Sequence, residues 1–154
     1  MKMRPEDFTV TYKWMEGSVP PPHHYEYEIR IGPGEKGTII FYPDYPEEGS
    51  PVWTGEFPLD NLSLDSLYEL LVEKKVLSGQ WKEREDAEVG GELEWMEGTA
   101  GNADFRIPSS IKEPSLVESI YKHIRSLVPE WIWTKLMWNQ QQYTRNYFKD
   151  QQPS

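Results

Sequence analysis

Short runs of aromatic and β-branched residues, separated by proline and glycine, dominate the first 60 residues of the chain. The most regular run reads YEYEIRI over residues 25–31, so that every second side chain is apolar. A period of two is typical of a β-strand with one face in the core and one face in water. The same composition predicts strands at residues 9–14, 25–31, 38–42 and 52–57, and their short connections favour an antiparallel meander.

Helical spacing replaces this alternation after residue 60. Leu64, Leu67 and Leu71 recur at intervals of three and four, and the polar residues from Asp60 to Ser63 offer N-cap side chains. This pattern predicts a helix that ends near residue 75. Two further strands are predicted at residues 91–98 and 105–107.

Two more helices are predicted near the C-terminus. The spacing of Ile120 and Ile124, after a Ser115 to Glu118 segment that matches a capping box, indicates the first of them. Pro129 ends it and opens the next, which runs to about residue 149. The chain of 154 residues is therefore predicted to form a single α+β domain, an antiparallel meander of four to six strands with about three helices.

Charge and composition exclude several classes of function. The net charge of −10 repels phosphate, so binding to nucleic acid or to an anionic membrane is not expected. The absence of cysteine excludes disulfides and thiolate sites. A polar N-terminal segment and the lack of an apolar run of about 18 residues lead us to expect a cytoplasmic protein.

The segment GPGEKG at residues 32–37 has the spacing of a dinucleotide-binding fingerprint. That fingerprint must open a helix whose N-terminal amides hold the pyrophosphate, whereas a strand is predicted from residue 38. Pro33 also lacks an amide, and Glu35 would repel phosphate. A hairpin loop is the better interpretation, and no cofactor is predicted.

The three histidines do not indicate a metal or catalytic site. His23 and His24 are adjacent in an extended segment, where neighbouring side chains point to opposite faces, so at most one of them could join a metal site. His123 lies in a predicted helix without a motif that would place a nucleophile beside it. We predict no catalytic residue and no metal ligand, and the sequence favours a non-enzymatic role.

The last predicted helix carries the clearest indication of function. Its expected core side, at 100° per residue, consists of Ile132, Trp133, Leu136, Tyr143 and Tyr147. Trp131 and Trp138 fall on the polar side with Lys135 and Arg145. Tryptophan flanked by cations is typical of an interface hot spot, so these four residues are predicted to bind a protein partner or a second copy of the chain.

A small-molecule or carbohydrate site is the alternative hypothesis. Tyr42, Asp44 and Tyr45 stand in a turn bounded by prolines, and Trp53 follows in the next strand. These side chains would line an aromatic cleft if they faced one another. A carboxylate-dependent enzyme is a third hypothesis, and it would need an Asp or Glu with a strongly perturbed pKa in that cleft.

Overall fold

The computed structural model describes residues 3–47, 49–79, 81, 92–111 and 114–151. Six antiparallel strands form one sheet in the order β4-β3-β2-β1-β5-β6. The strands are β1 (Thr9–Met15), β2 (Glu26–Ile31), β3 (Lys36–Tyr42), β4 (Trp53–Pro58), β5 (Leu93–Ala100) and β6 (Ala103–Ile107). The predicted meander is therefore present, with β5 and β6 added beside β1.

Three helices pack on one face of this sheet. They are α1 (Asn61–Glu73), α2 (Glu118–Leu127) and α3 (Glu130–Gln151), and a short 3₁₀ turn, Pro114–Leu116, precedes α2. The ring of Tyr121 in α2 lies 4.9 Å from that of Tyr12 in β1, and Ile132 in α3 packs over Gly55 in β4. Since α2 also packs against α1, the helices form a second layer. The α+β class, with two C-terminal helices, is confirmed.

The strand register explains why only one face is covered. Tyr12, Ile29 and Ile39 are paired across three strands and are fully buried beneath the helices. The neighbouring position on each strand points to the opposite face, which carries ion pairs such as Lys13–Glu28, at 3.4 Å. The period of two in the sequence thus separates an apolar inner face from a charged open face.

Two glycines on the inner face are covered by phenylalanines from the edge strands. Gly37 is paired with Phe57, and Gly98 is paired with Phe105. A Cβ atom at either glycine would overlap the aromatic ring. On each edge strand, a phenylalanine ring therefore fills the space that a glycine, which has no side chain, leaves on the neighbouring strand.

The N-terminus of α1 is capped as expected, whereas that of α2 is not. Asp60 accepts a hydrogen bond of 2.7 Å from the backbone N–H of Ser63. The capping box predicted at residues 115–118 is wrong, because Ser115 lies in the 3₁₀ turn and Val117 occupies the N-cap position without a side-chain hydrogen bond. The 3₁₀ turn supplies the first backbone bonds of this segment instead.

The hairpin interpretation of residues 32–37 is confirmed. Gly32 adopts a φ of 72°, which glycine reaches without strain, and its N–H donates to the carbonyl oxygen of Lys36. The chain continues directly into β3 rather than into a helix. The first residues of the strand predicted at 91–98 include Gly91, which is outside the described residues.

Candidate functional site

The inner face of α3 is fixed to the sheet by apolar and aromatic contacts. Ile132 and Leu136 are buried in the core, as their spacing predicted. The half-buried Trp133 meets the ring of Tyr27 edge to face at 5.0 Å, and its Nε1–H donates to the carbonyl oxygen of Arg125 at 3.1 Å. The N-terminal half of α3 is therefore held by both the sheet and α2.

Polar contacts hold the C-terminal half of the same face. Gln140 is buried, and its Nε2 donates to the carbonyl oxygen of Pro43 at 3.1 Å. Tyr143 donates to Oδ2 of Asp44 at 2.8 Å. Gln140 was not among the predicted core residues because it is polar, although its place on the helical wheel is on the core side. These bonds connect α3 to the loop that follows β3.

The outer face of α3 exposes two tryptophans. Trp131 is 65% exposed and Trp138 is 59% exposed, and Lys135 and Arg145 are exposed on the same side. Seven residues separate the tryptophans, which is about 10 Å along a helix axis. The structure thus brings the four predicted partner-binding residues onto one surface, where Lys149 is also exposed. We call this surface the tryptophan face and define it as Trp131, Lys135, Trp138, Arg145 and Lys149.

The tryptophan face is cationic in a chain that is strongly acidic. Residues 130–154 contain three basic and two acidic side chains, a net charge of +1. Because the net charge of the whole chain is −10, the preceding 129 residues carry −11. Glu130 directly precedes Trp131 and points about 100° away from it around the helix. Among the described side chains of α3, those of the tryptophan face therefore combine exposed aromatic rings with positive charge and no negative charge.

The residues of the alternative ligand site do not line one cleft. Tyr42 lies on the open face of the sheet, whereas Trp53 lies on the inner face, where it stacks on Phe41 at 5.8 Å. Asp44 is 8% exposed and accepts hydrogen bonds from Tyr143 and from the backbone N–H of Tyr45. The Tyr45 hydroxyl donates to a backbone carbonyl oxygen, that of Val19. Ligand binding by these four residues stays a prediction, without a shared surface to support it.

A depression of about 220 Å³ lies on the open face, and Tyr42 is the one member of that set at its border. Its other prominent lining side chains are Lys13, Glu28 and Trp95. Lys13 stands over the ring of Trp95 at 5.9 Å and pairs with Glu28, so its charge is already engaged. The side chains of the depression satisfy one another across the sheet surface.

A buried tyrosine, a glutamate and an arginine form a polar cluster that the sequence did not indicate. Tyr12 in β1 donates to Oε2 of Glu94 in β5, and Arg125 in α2 donates to the same hydroxyl at 2.8 Å. Burial, and to a smaller extent the hydrogen bond to Glu94, raises the pKa of Tyr12 well above its usual range. A tyrosine that keeps its proton near neutral pH is poorly suited to act as a general base. This cluster joins two strands to α2.

His24 and His123 are packed among other residues of the fold. His24 is 3% exposed, stacks on Tyr45 at 3.7 Å, and places its ring nitrogens near Gly17 O and Glu26 Oε2. His123 is half-buried on α2, and burial lowers its pKa. Within the described residues, no three His, Asp or Glu side chains are grouped so that they could hold a metal ion.

Comparison with known proteins supplies no family for this chain. No protein-family model matches it, and a search of curated proteins found no match. In the part of the chain that the structure describes, no helix combines the length and apolar character needed to cross a membrane. The surfaces of the molecule itself are therefore what points to a function.

Proposed function

We propose that the protein is a non-enzymatic interaction module that binds a protein partner through the tryptophan face of α3. The observation that carries the proposal is the exposure of Trp131 and Trp138, at 65% and 59%, on one side of a long helix. Tryptophan is highly buried on average in folded proteins, so two exposed rings on one surface need an explanation. Burial against a partner provides it.

The support beneath the tryptophan face suits this role. Leu136 packs in the core, Gln140 is bonded to the loop after β3, and Tyr143 is bonded to Asp44. The helix backbone is therefore held in place from below while its outer side chains remain in solvent. A preorganised surface loses little conformational entropy when it binds, which favours affinity.

The chemistry of the tryptophan face divides into anchoring and steering. The rings of Trp131 and Trp138 offer large apolar areas that gain most when a partner removes them from water. Lys135 and Arg145 supply positive charge beside them, which favours an approaching acidic surface and raises the rate of encounter. The sequence leads us to expect that the partner is cytoplasmic.

The double variant Trp131→Ala with Trp138→Ala tests this function. We expect association to weaken by roughly thirtyfold, the effect of losing one interface hot spot of about 2 kcal/mol, or by more. The urea midpoint should stay close to that of the wild type because exposed side chains contribute little to folding. Sedimentation equilibrium measures self-association, and capture of proteins from an extract of the native organism measures binding to others.

Thr134→Ala with Gln141→Ala is the matched control, since both side chains are exposed on α3 and neither is aromatic. This variant should retain the association of the wild type. A large fall in the urea midpoint of the tryptophan variant would show that the rings support the fold. Unchanged self-association together with unchanged capture would also overturn the proposed function.

A further inference from the structure

We infer that the partner is a second copy of this chain, and that the tryptophan face of one copy docks on the outer face of α1 in the other. This inference rests on the proposed function and names the occupant of the same surface. The outer face of α1, here called the acidic face, consists of Leu62, Asp65, Glu69, Val72 and Glu73.

The acidic face is the chemical complement of the tryptophan face. Its carboxylates Asp65, Glu69 and Glu73 are exposed and recur every four residues, which places them along one side of the helix. Leu62 is 79% exposed and Val72 is 37% exposed on the same side. Asp65 is paired with Arg4 of its own chain at 3.1 Å. Glu69 and Glu73, together with Leu62 and Val72, are therefore the side chains that complement the two tryptophans and the cations of the tryptophan face.

Pairing of two tryptophan faces with each other is less favourable. It would bring the three cations of one helix against the same three cations of the other, and facing like charges are destabilising. Docking on the acidic face replaces this repulsion with attraction. It also gives Trp131 and Trp138 an apolar surface at Leu62 and Val72.

Both contacts can be combined in one symmetric pair if the two-fold axis passes near α2. α2 packs against α1, and the carbonyl oxygen of Arg125 in the last turn of α2 accepts the Trp133 bond from α3. Both α1 and α3 thus contact α2, and each keeps a row of exposed side chains opposite its buried ones. A two-fold axis through α2 would place α3 of each copy on α1 of the other, which is the self-complementary arrangement of a symmetric dimer.

The surface of α2 at this axis is compatible with close approach. Its exposed side chains are Glu118, Ser119, Lys122 and Ser126, which are short or of mixed sign. Glu118 of one copy and Lys122 of the other can form favourable pairs in an antiparallel crossing. Two helix layers packed in this way lie between two sheets, and the charged open face of each sheet remains outside.

Charge exchange between the two faces tests the inference. Variant A carries Lys135→Glu and Arg145→Glu on the tryptophan face, and variant B carries Glu69→Lys and Glu73→Lys on the acidic face. Each variant alone should dimerise at least about tenfold more weakly than the wild type, because both of its contacts oppose like charges. An equimolar mixture of A and B should recover the affinity, since both contacts of the mixed dimer then join opposite charges.

Sedimentation equilibrium over about 5–200 μM covers the affinities expected of a modest interface. Circular dichroism of each variant confirms that it is folded, and a chain with all four substitutions should dimerise by itself. A wild-type chain that is monomeric over this range, or variants A and B that dimerise normally, would overturn the inference. In that case, the variant Trp131→Ala with Trp138→Ala could still capture fewer proteins from the extract than the wild type does. The proposed function would then stand, and the second copy would be excluded as the partner.

Discussion

The tryptophans of α3 divide between two environments that differ by a rotation of the helix. Trp133 lies on the inner face, in contact with Tyr27 and bonded to the backbone of Arg125. Trp131 and Trp138 lie on the outer face, largely in solvent. Residues of one type, within eight positions, thus serve packing in one case and remain available for contact in the other.

The same comparison extends to the polar residues of the helix. On the inner face, Gln140 and Tyr143 donate hydrogen bonds to Pro43 and Asp44. On the outer face, Lys135 and Arg145 are exposed. Polar groups that are buried and bonded specify one position of the helix, whereas exposed charges leave the fold almost unaffected and influence what approaches it.

Removal of Trp133 should produce the largest effect on folding. Trp133→Ala is expected to lower the free energy of unfolding by about 3 kcal/mol, because it leaves a cavity beside Tyr27 and removes the indole hydrogen bond to the carbonyl oxygen of Arg125. Urea unfolding followed by circular dichroism measures the loss. Trp138→Ala is the matched control, and it should change the same free energy by no more than about 0.5 kcal/mol. Equal losses in the two variants would remove the distinction between the faces.

Sequence reasoning found this division because a helix has a fixed rotation per residue. Ile132 and Leu136 define the core side, and the positions of Trp131 and Trp138 then follow from 100° steps. The strands could be predicted in the same way, since the alternation around Tyr27 reflects one buried and one open face. These features depend on spacing within single elements.

Features that depend on partners distant in sequence were not predictable. Gln140 is buried because the carbonyl oxygens of Pro22 and Pro43 come within its reach only in the folded chain. The contact of Tyr12 with Glu94 and Arg125 joins residues more than 80 positions apart. Tyr42 and Trp53, which the ligand hypothesis places in one cleft, lie on opposite faces of the adjacent strands β3 and β4.

Loss of the Tyr143 hydroxyl should have an intermediate effect. Tyr143→Phe removes a hydrogen bond from the buried Asp44, and we expect the free energy of unfolding to fall by about 1 kcal/mol at neutral pH. Urea unfolding gives the value. Tyr147→Phe is the control, because Tyr147 is also half-buried on α3 and makes an edge-to-face contact with Phe148. A change no larger than in this control would show that the bond does not help to fix α3.

The dependence of this difference on pH sharpens the same test. Burial, and next the bond to Asp44, raises the pKa of Tyr143 to about 12 from an ordinary value of 10.0. The folded state therefore holds this proton more strongly than the unfolded chain does. The stability that it contributes is complete below pH 10 and is lost as the pH rises through about 12. The gap between the wild type and Tyr143→Phe should narrow over that window.

The smallest effect on folding is expected on the outer face of α1. Glu69→Gln removes one exposed charge and should leave the free energy of unfolding within about 0.5 kcal/mol of the wild type. If the acidic face receives the tryptophan face of a second copy, the same substitution should weaken dimerisation by a few-fold, since one attractive contact is lost twice in a symmetric pair. Parallel urea unfolding and sedimentation separate the two outcomes. Glu97→Gln, at an exposed position of β5 on the open face of the sheet, is the matched control and should affect neither measurement. A dimer weakened equally by both substitutions would indicate a response to net charge alone, and would place the recognition away from α1.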